Sequence, residues 1–236
     1  MKNILRSILY LVLLSVSFVQ AQTILQPTTG STTQTITCGT TYTYADNGGT
    51  GGDYTNNIGS YLVFQPSTVG SVVVVTFSAF NTELNYDTLS FWQGMTPSGA
   101  PVARYHGTTV PPTIISTSAT GGLVFRFRTD VSAVRAGWTA TVQCFTPINI
   151  TNGTTTTACN SVFYDSGGPG ANYGNNENRT HTFAPVSATD RIQVTFIQFN
   201  TQATNDPLTI YNGPNVASPV LATLSGTTLP GTYTSS

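Results

Sequence analysis

Residues 72–89 read VVVVTFSAFNTELNYDTL, and residues 191–208 read RIQVTFIQFNTQATNDPL. Laid over each other, Val75-Thr76-Phe77 falls on Val194-Thr195-Phe196 and Phe80-Asn81-Thr82 on Phe199-Asn200-Thr201. Asp87 then meets Asp206, and Leu89 meets Leu208. Each stretch starts as a strand. The first is a run of β-branched residues suited to a buried strand, and the second alternates polar and apolar residues from Arg191 to Phe196. Both then fall into Asn- and Thr-rich turn residues.

The match extends outward without a gap. Asp46-Asn47-Gly48-Gly49 returns as Asp165-Ser166-Gly167-Gly168, and Tyr54 to Asn57 returns as Tyr173 to Asn176. Phe64-Gln65-Pro66 returns as Phe183-Ala184-Pro185, and Gly107-Thr108-Thr109 as Gly226-Thr227-Thr228, every pair 119 residues apart. So long a period describes two whole domains rather than a solenoid. Further strands are expected at Leu123–Phe127, Trp138–Val142 and Leu208–Tyr211, the last closed by Asn212-Gly213. Ser236 corresponds to Thr117, so the second copy lacks the last strands of the first and reads as incomplete.

The boundaries follow. Lys2 and Arg6 precede an apolar run from Ile8 to Val19, and Val19-Gln20-Ala21 reads as a cleavage site. Residues 1–21 are therefore expected to be a secretory signal peptide, and the chain to be secreted or at the cell surface. No later segment is apolar enough for a membrane span. Residues 22–37 read as a Thr-rich leader, 38–144 as domain one, 145–158 as a linker and 159–236 as domain two.

Charge excludes one class of partner. After residue 21 there are nine acids and six arginines, and no lysine. A nucleic-acid binder needs a basic face, which this balance does not supply. Export permits disulfides among Cys38, Cys144 and Cys159. The repeat favours Cys38–Cys144, which ties the two ends of one domain. The rival pairing is Cys144–Cys159 across the linker.

Taken in order, several motifs resemble one family. Cys38 is followed by Asp46-Asn47-Gly48-Gly49, Tyr54-Thr55-Asn56-Asn57 and Phe64-Gln65-Pro66. Next come YDTLSFWQG at residues 86–94, FRFRTDVS at 125–132 and AGWTA at 136–140. The second copy carries YDSGGPGANYGNN at 164–176 and DPLTIYNG at 206–213. This series resembles the CUB domain, over residues 38–144 and 159–236. The resemblance implies an all-β fold, two jelly-roll-like antiparallel β-sandwich domains in tandem. The sequence departs from many members in lacking a second cysteine, near Tyr61 and Thr180, and the two central cysteines.

Calcium-binding members of that family use acids at the positions of Glu83, Asp87 and Asp130, with Ser132 alongside. The resemblance thus implies Ca²⁺ in domain one. Elementary chemistry agrees, because Ca²⁺ takes six to eight oxygens and clustered carboxylates repel without a cation. Tyr54 is a further guess at a ligand. In domain two Gln202 replaces Glu83 while Asp206 remains, so a weak or absent site is expected there.

Asp165-Ser166-Gly167-Gly168-Pro169 matches the surroundings of a serine-protease nucleophile. The same turn in domain one, Asp46-Asn47-Gly48-Gly49, carries no hydroxyl, so repetition points to a turn. His106 and His181 have no ligand-spaced companions and read as ordinary strand or surface residues. Trp92, Trp138 and Tyr211 read as core. Arg126 and Arg128 alternate with Phe125 and Phe127, which puts both arginines on one strand face. The expected function is extracellular, non-catalytic recognition or adhesion, with a protein or carbohydrate partner. The alternatives are an accessory region of a larger secreted hydrolase, and a structural repeat of a surface stalk.

Overall fold

The computed structural model describes residues 22–157 and 161–236. The expected signal segment and Cys159 lie outside the described residues.

The first half contains β1 (Thr23–Leu25), β2 (Thr29–Ile36), β3 (Tyr42–Ala45), β4 (Gly59–Pro66) and β5 (Val72–Asn81). It continues with β6 (Thr88–Gln93), β7 (Ala103–Tyr105), β8 (Ile114–Ile115), β9 (Leu123–Arg128) and β10 (Gly137–Phe145). One sheet runs β1-β3-β10-β5-β8 and the other β2-β4-β9-β6-β7. Inward side chains from both sheets meet in one core, as two layers of half-apolar strands must. In β9, Phe125 and Phe127 point inward with no exposure while Arg126 and Arg128 point outward. In β10, Trp138, Ala140, Val142 and Cys144 are buried on alternate positions. Tyr44 sits at the centre, its ring 5.1 Å from Phe64, 5.4 Å from Trp138 and 5.6 Å from Phe125.

Residues 22–37 are not a leader. β1 pairs parallel with β3, and β2 pairs parallel with β4 along its whole length. The buried Gln26 accepts a hydrogen bond from the Tyr44 hydroxyl at 2.6 Å and donates to the Ser60 hydroxyl at 2.9 Å. The sheets are therefore mixed rather than purely antiparallel. In β2 only Ile36 is buried, so a Thr-rich edge strand carries no apolar alternation to reveal it.

The Asp46 carboxylate accepts hydrogen bonds from the backbone N–H of Gly48 at 2.7 Å and of Trp138 at 3.0 Å, which ties the turn to β10. Gly137 has φ +66°, and a Cβ there would stand 1.8 Å from Asp46 Oδ2, so only glycine fits. Cys38, after β2, is bonded to Cys144 of β10, with Cα atoms 4.3 Å apart.

The second half contains β11 (Ile148–Asn149), β12 (Thr154–Thr157), β13 (Phe163–Tyr164) and β14 (His181–Ala184). It ends with β15 (Gln193–Thr195), β16 (Leu208–Tyr211), β17 (Val220–Leu224) and β18 (Thr232–Thr234). Here too the Thr-rich stretch read as a linker contributes strands: β11 pairs parallel with β13, and β12 with β14. The antiparallel pairings of this half repeat those of the first with a shift of 119 residues on both partners. Val74↔Ile115 becomes Gln193↔Thr234, and Leu89↔Tyr105 becomes Leu208↔Leu224. Among the described residues, however, the buried apolar side chains all lie between Ile24 and Cys144. Among the described residues of the second half, nothing takes the central sheet positions that β9 and β10 occupy in the first.

Candidate metal centre

The stretch from Thr82 to Asp87 leaves β5 and doubles back into β6. The Thr82 hydroxyl donates to the Asp87 carbonyl at 3.0 Å, and the Asp87 N–H donates to the Glu83 carbonyl at 3.2 Å. Asn85 takes a positive φ of 70° at the apex, a conformation Asn tolerates better than most residues. The Asn85 N–H donates to His106 Nδ1 at 3.3 Å, so His106 supports this loop without joining the acids.

Asp130 approaches from the end of β9. Its carbonyl accepts from the Asn57 N–H at 2.7 Å, and its own N–H donates to Asp87 Oδ1 at 3.0 Å. Ser132 donates its N–H to Asp130 Oδ1 at 2.9 Å. One carboxylate oxygen from each of Glu83, Asp87 and Asp130 lies within 4.8 Å of the others. Asp87 is buried, and the other two are half-buried.

Tyr54 holds the cluster together. Its hydroxyl donates to Asp87 Oδ2 at 2.6 Å and accepts from the Glu83 N–H at 3.0 Å. Burial, and then the bond to Asp87, pushes that phenol well above its ordinary range, so it stays a donor. Tyr54 is thus a positioning group for two of the acids, where the sequence offered it as a ligand. Its repeated setting, Tyr-x-Asn-Asn at 54–57 and 173–176, was the available signal.

The donor set suits a hard cation. It is all oxygen, with no thiolate or imidazole among the grouped ligands. Glu83 Oε2 is buried without a hydrogen-bond partner, and so is Asn56 Oδ1. The single ion pair among the described residues is Arg179 with Glu177, so no arginine neutralises these acids. Three carboxylates this close repel one another, and a divalent cation offsets that repulsion.

The second half repeats the frame with a different ligand set. The Tyr173 hydroxyl donates to Asp206 Oδ2 at 2.9 Å and accepts from the Gln202 N–H at 3.0 Å. A neutral amide replaces the Glu83 carboxylate, and the three-acid group found among the described residues is the one in the first half.

A family model described as the CUB domain matches residues 40–142. Residues 40–142 form a CUB domain. Similar solved structures include the full extracellular region of zebrafish Gpr126/Adgrg6, at 19% identity and TM-score 0.40, over 48% of this chain and 15% of that one. The CUB1-EGF-CUB2 region of human MASP-1/3 is 16% identical at TM-score 0.40, over 47% and 41% of the two chains. The MASP-1 CUB2 domain bound to Ca²⁺ is 18% identical at TM-score 0.37, over 47% and 96%. The chain thus spans well under half the length of the first two. CUB domains are extracellular modules that bind protein partners and are typically non-catalytic. No described helix is long and apolar enough to cross a membrane.

Outside the CUB domain, Ser166 sits in a turn. Its hydroxyl donates to Glu177 Oε2 at 2.6 Å and accepts from the Gly174 N–H at 3.3 Å. His181 instead accepts from the Thr151 N–H at 3.3 Å and bonds Thr156 Oγ1 at 2.9 Å.

Proposed function

We propose that this chain is a secreted or cell-surface, non-catalytic recognition protein built from two CUB-type domains, with Ca²⁺ ordering one end of the first. The observation that carries the reading is the trio Glu83, Asp87 and Asp130 with an unpartnered buried oxygen on Glu83. Those three carboxylates would hold the ion, and the loop carrying Ser132 and the Asn56 amide stand ready to complete its oxygen shell. Bound Ca²⁺ would supply the positive charge that offsets the mutual repulsion of the three carboxylates. Tyr54 fixes the Asp87 carboxylate and the Glu83 backbone, so the β5–β6 and β9–β10 loops are presented together. Carboxylate oxygens left facing solvent accept hydrogen bonds from a ligand ammonium or hydroxyl, in a protein or a glycan. The shared 119-residue shift of strand registers supports the tandem arrangement.

Both tryptophans, Trp92 and Trp138, lie in the first half, so intrinsic fluorescence isolates its unfolding in the full chain. After stripping with chelator, Ca²⁺ should raise the fluorescence-detected melting temperature. Extracellular calcium sites work at roughly 0.1–1 mM. Hundredfold saturation contributes about 2.7 kcal/mol, which is on the order of 10 °C for a domain of this size. An unchanged melting temperature at ~10 mM Ca²⁺, well above that affinity range, would remove the proposal.

A further inference from the structure

We infer that the outward face of the β2-β4-β9-β6-β7 sheet binds an anionic sugar unit, with its carboxylate or sulfate among Arg104, Arg126 and Arg128 and its ring against Tyr86. Strand geometry places the arginines together. Phe125 and Phe127 are fully buried, so Arg126 and Arg128 both face out, about 6.6 Å apart along the strand. Ser90 is paired with Arg126 on one side and with Arg104 on the other. Directly paired residues share a sheet face, so Arg104, Ser90 and Arg126 form one row across three strands.

These three are part of a basic complement of only eight residues in the whole chain. None has an acidic partner, since the ion pair among the described residues is elsewhere. Like charges side by side on a sheet are destabilising unless a counter-charge meets them. Arg126 adds an independent sign. Its guanidinium lies 5.3 Å from the Tyr61 ring centroid, and its Nε is buried with no acceptor. Buried donors are ordinarily paired, and this one lacks its acceptor.

Space is available beside them. Arg128 is paired across to Gly59, where a Cβ would meet nothing within 4 Å. The arginines line a depression of about 270 Å³ whose other walls are Asn85, Tyr86, Thr88 and Ser90. Tyr86 is 64% exposed. Guanidinium forks match the planar oxygens of carboxylate and the oxygen face of sulfate. The remaining groups are hydroxyls, an amide and an exposed aromatic ring, with no aliphatic side chain to receive a peptide's apolar residues. An acidic sugar, with ring faces to stack and hydroxyls to pair, matches that lining better than an acidic peptide. The arginines supply the charge, so this site works without a cation, unlike the neighbouring acids.

The test uses the full chain in excess EDTA, at low salt. Titration with a polygalacturonate oligosaccharide and with a sulfated dextran oligosaccharide should show binding to at least one. Which one binds names the anion, and neutral dextran should not bind. The pair Arg104→Gln and Arg128→Gln, both at exposed positions, should weaken binding at least about tenfold at unchanged melting temperature, as the loss of two charge-assisted contacts predicts. Tyr86→Ala should weaken it several-fold as well. Failure of both anionic glycans to bind would overturn the inference. So would equal binding by the double variant, or tighter binding of poly-glutamate than of either glycan.

Discussion

Asp130→Asn should raise the melting temperature of the metal-stripped protein and lower it in Ca²⁺. Asp130 shares a space within 4.8 Å with the Glu83 and Asp87 carboxylates. Two like-charge pairs at that distance repel by about 0.9 kcal/mol each even at the dielectric of bulk water. The substitution removes both repulsions, about 1.5–2 kcal/mol together. It leaves the local frame intact, because the Asn side-chain oxygen still accepts the Ser132 N–H, and the Asp87 contact is made by the backbone N–H of residue 130. In Ca²⁺ the balance reverses. The native protein gains about 2.7 kcal/mol at hundredfold saturation, and the variant, short one charged ligand, forfeits most of it. The variant should then lie about 1 kcal/mol below the native protein, a difference of several degrees. The assay is a pair of thermal melts for each protein, in EDTA and in Ca²⁺, read by tryptophan fluorescence. A variant that melts lower in both conditions, with a Ca²⁺-induced rise equal to that of the native protein, would refute the reasoning.

Replacing both Cys38 and Cys144 by Ala opens a loop of 106 residues, which should cost about 4–5 kcal/mol in the chain-entropy model. Urea melts should show it, and a midpoint insensitive to the substitution would mean the bridge does not constrain the chain. Trp138→Ala should cost about 3–5 kcal/mol, because Trp138 is 1% exposed and packs on Tyr44, Phe80 and Phe127. Its buried Nε1 donates to nothing, so Trp138→Phe should cost distinctly less by the same melts, and equal losses would contradict the packing. The Ser166 hydroxyl, and then Arg179, hold the Glu177 carboxyl below the usual carboxylate range. A depressed native value stabilises the fold above the unfolded value, and that contribution is lost as pH falls through the native one. Ser166→Ala should therefore move the Glu177 titration upward in an NMR pH series while creating or abolishing no hydrolytic activity, and an unmoved midpoint would count against the hydrogen bond.

The residues that revealed the architecture are those whose letters carry a period. Phe125-Arg126-Phe127-Arg128 could be oriented from alternation alone, and Val72 to Val75 announced a strand buried without alternation. The acids Glu83, Asp87 and Asp130 were legible because acids are scarce in this chain and these three fall at family positions. The strands β1, β2, β11 and β12 were not legible. β1 and β11 are only three and two residues long, too short to show a period, and β2 and β12 are Thr-rich with almost no buried side chain, so their place is set by backbone pairing, which leaves no apolar signature. For Tyr54 the letters offered a metal ligand, and they could not show that its hydroxyl bonds Asp87 Oδ2 and the Glu83 N–H, since a hydroxyl that bridges two acids and one that binds a metal look alike in a string of letters. The row joining Arg104 to Arg126 depends on the register of three strands, which spacing along the chain does not encode.

The two N-terminal strands also bear on where the folding unit begins. The family match starts at residue 40, yet a chain begun there would lack Cys38, Gln26 and both parallel partners. The open backbone edges of β3 and β4 would then face solvent, and the Tyr44 phenol would lose its acceptor. Such a trimmed protein invites edge-to-edge association and poor recovery from expression, whereas one begun at Gln22 carries its own protective hem.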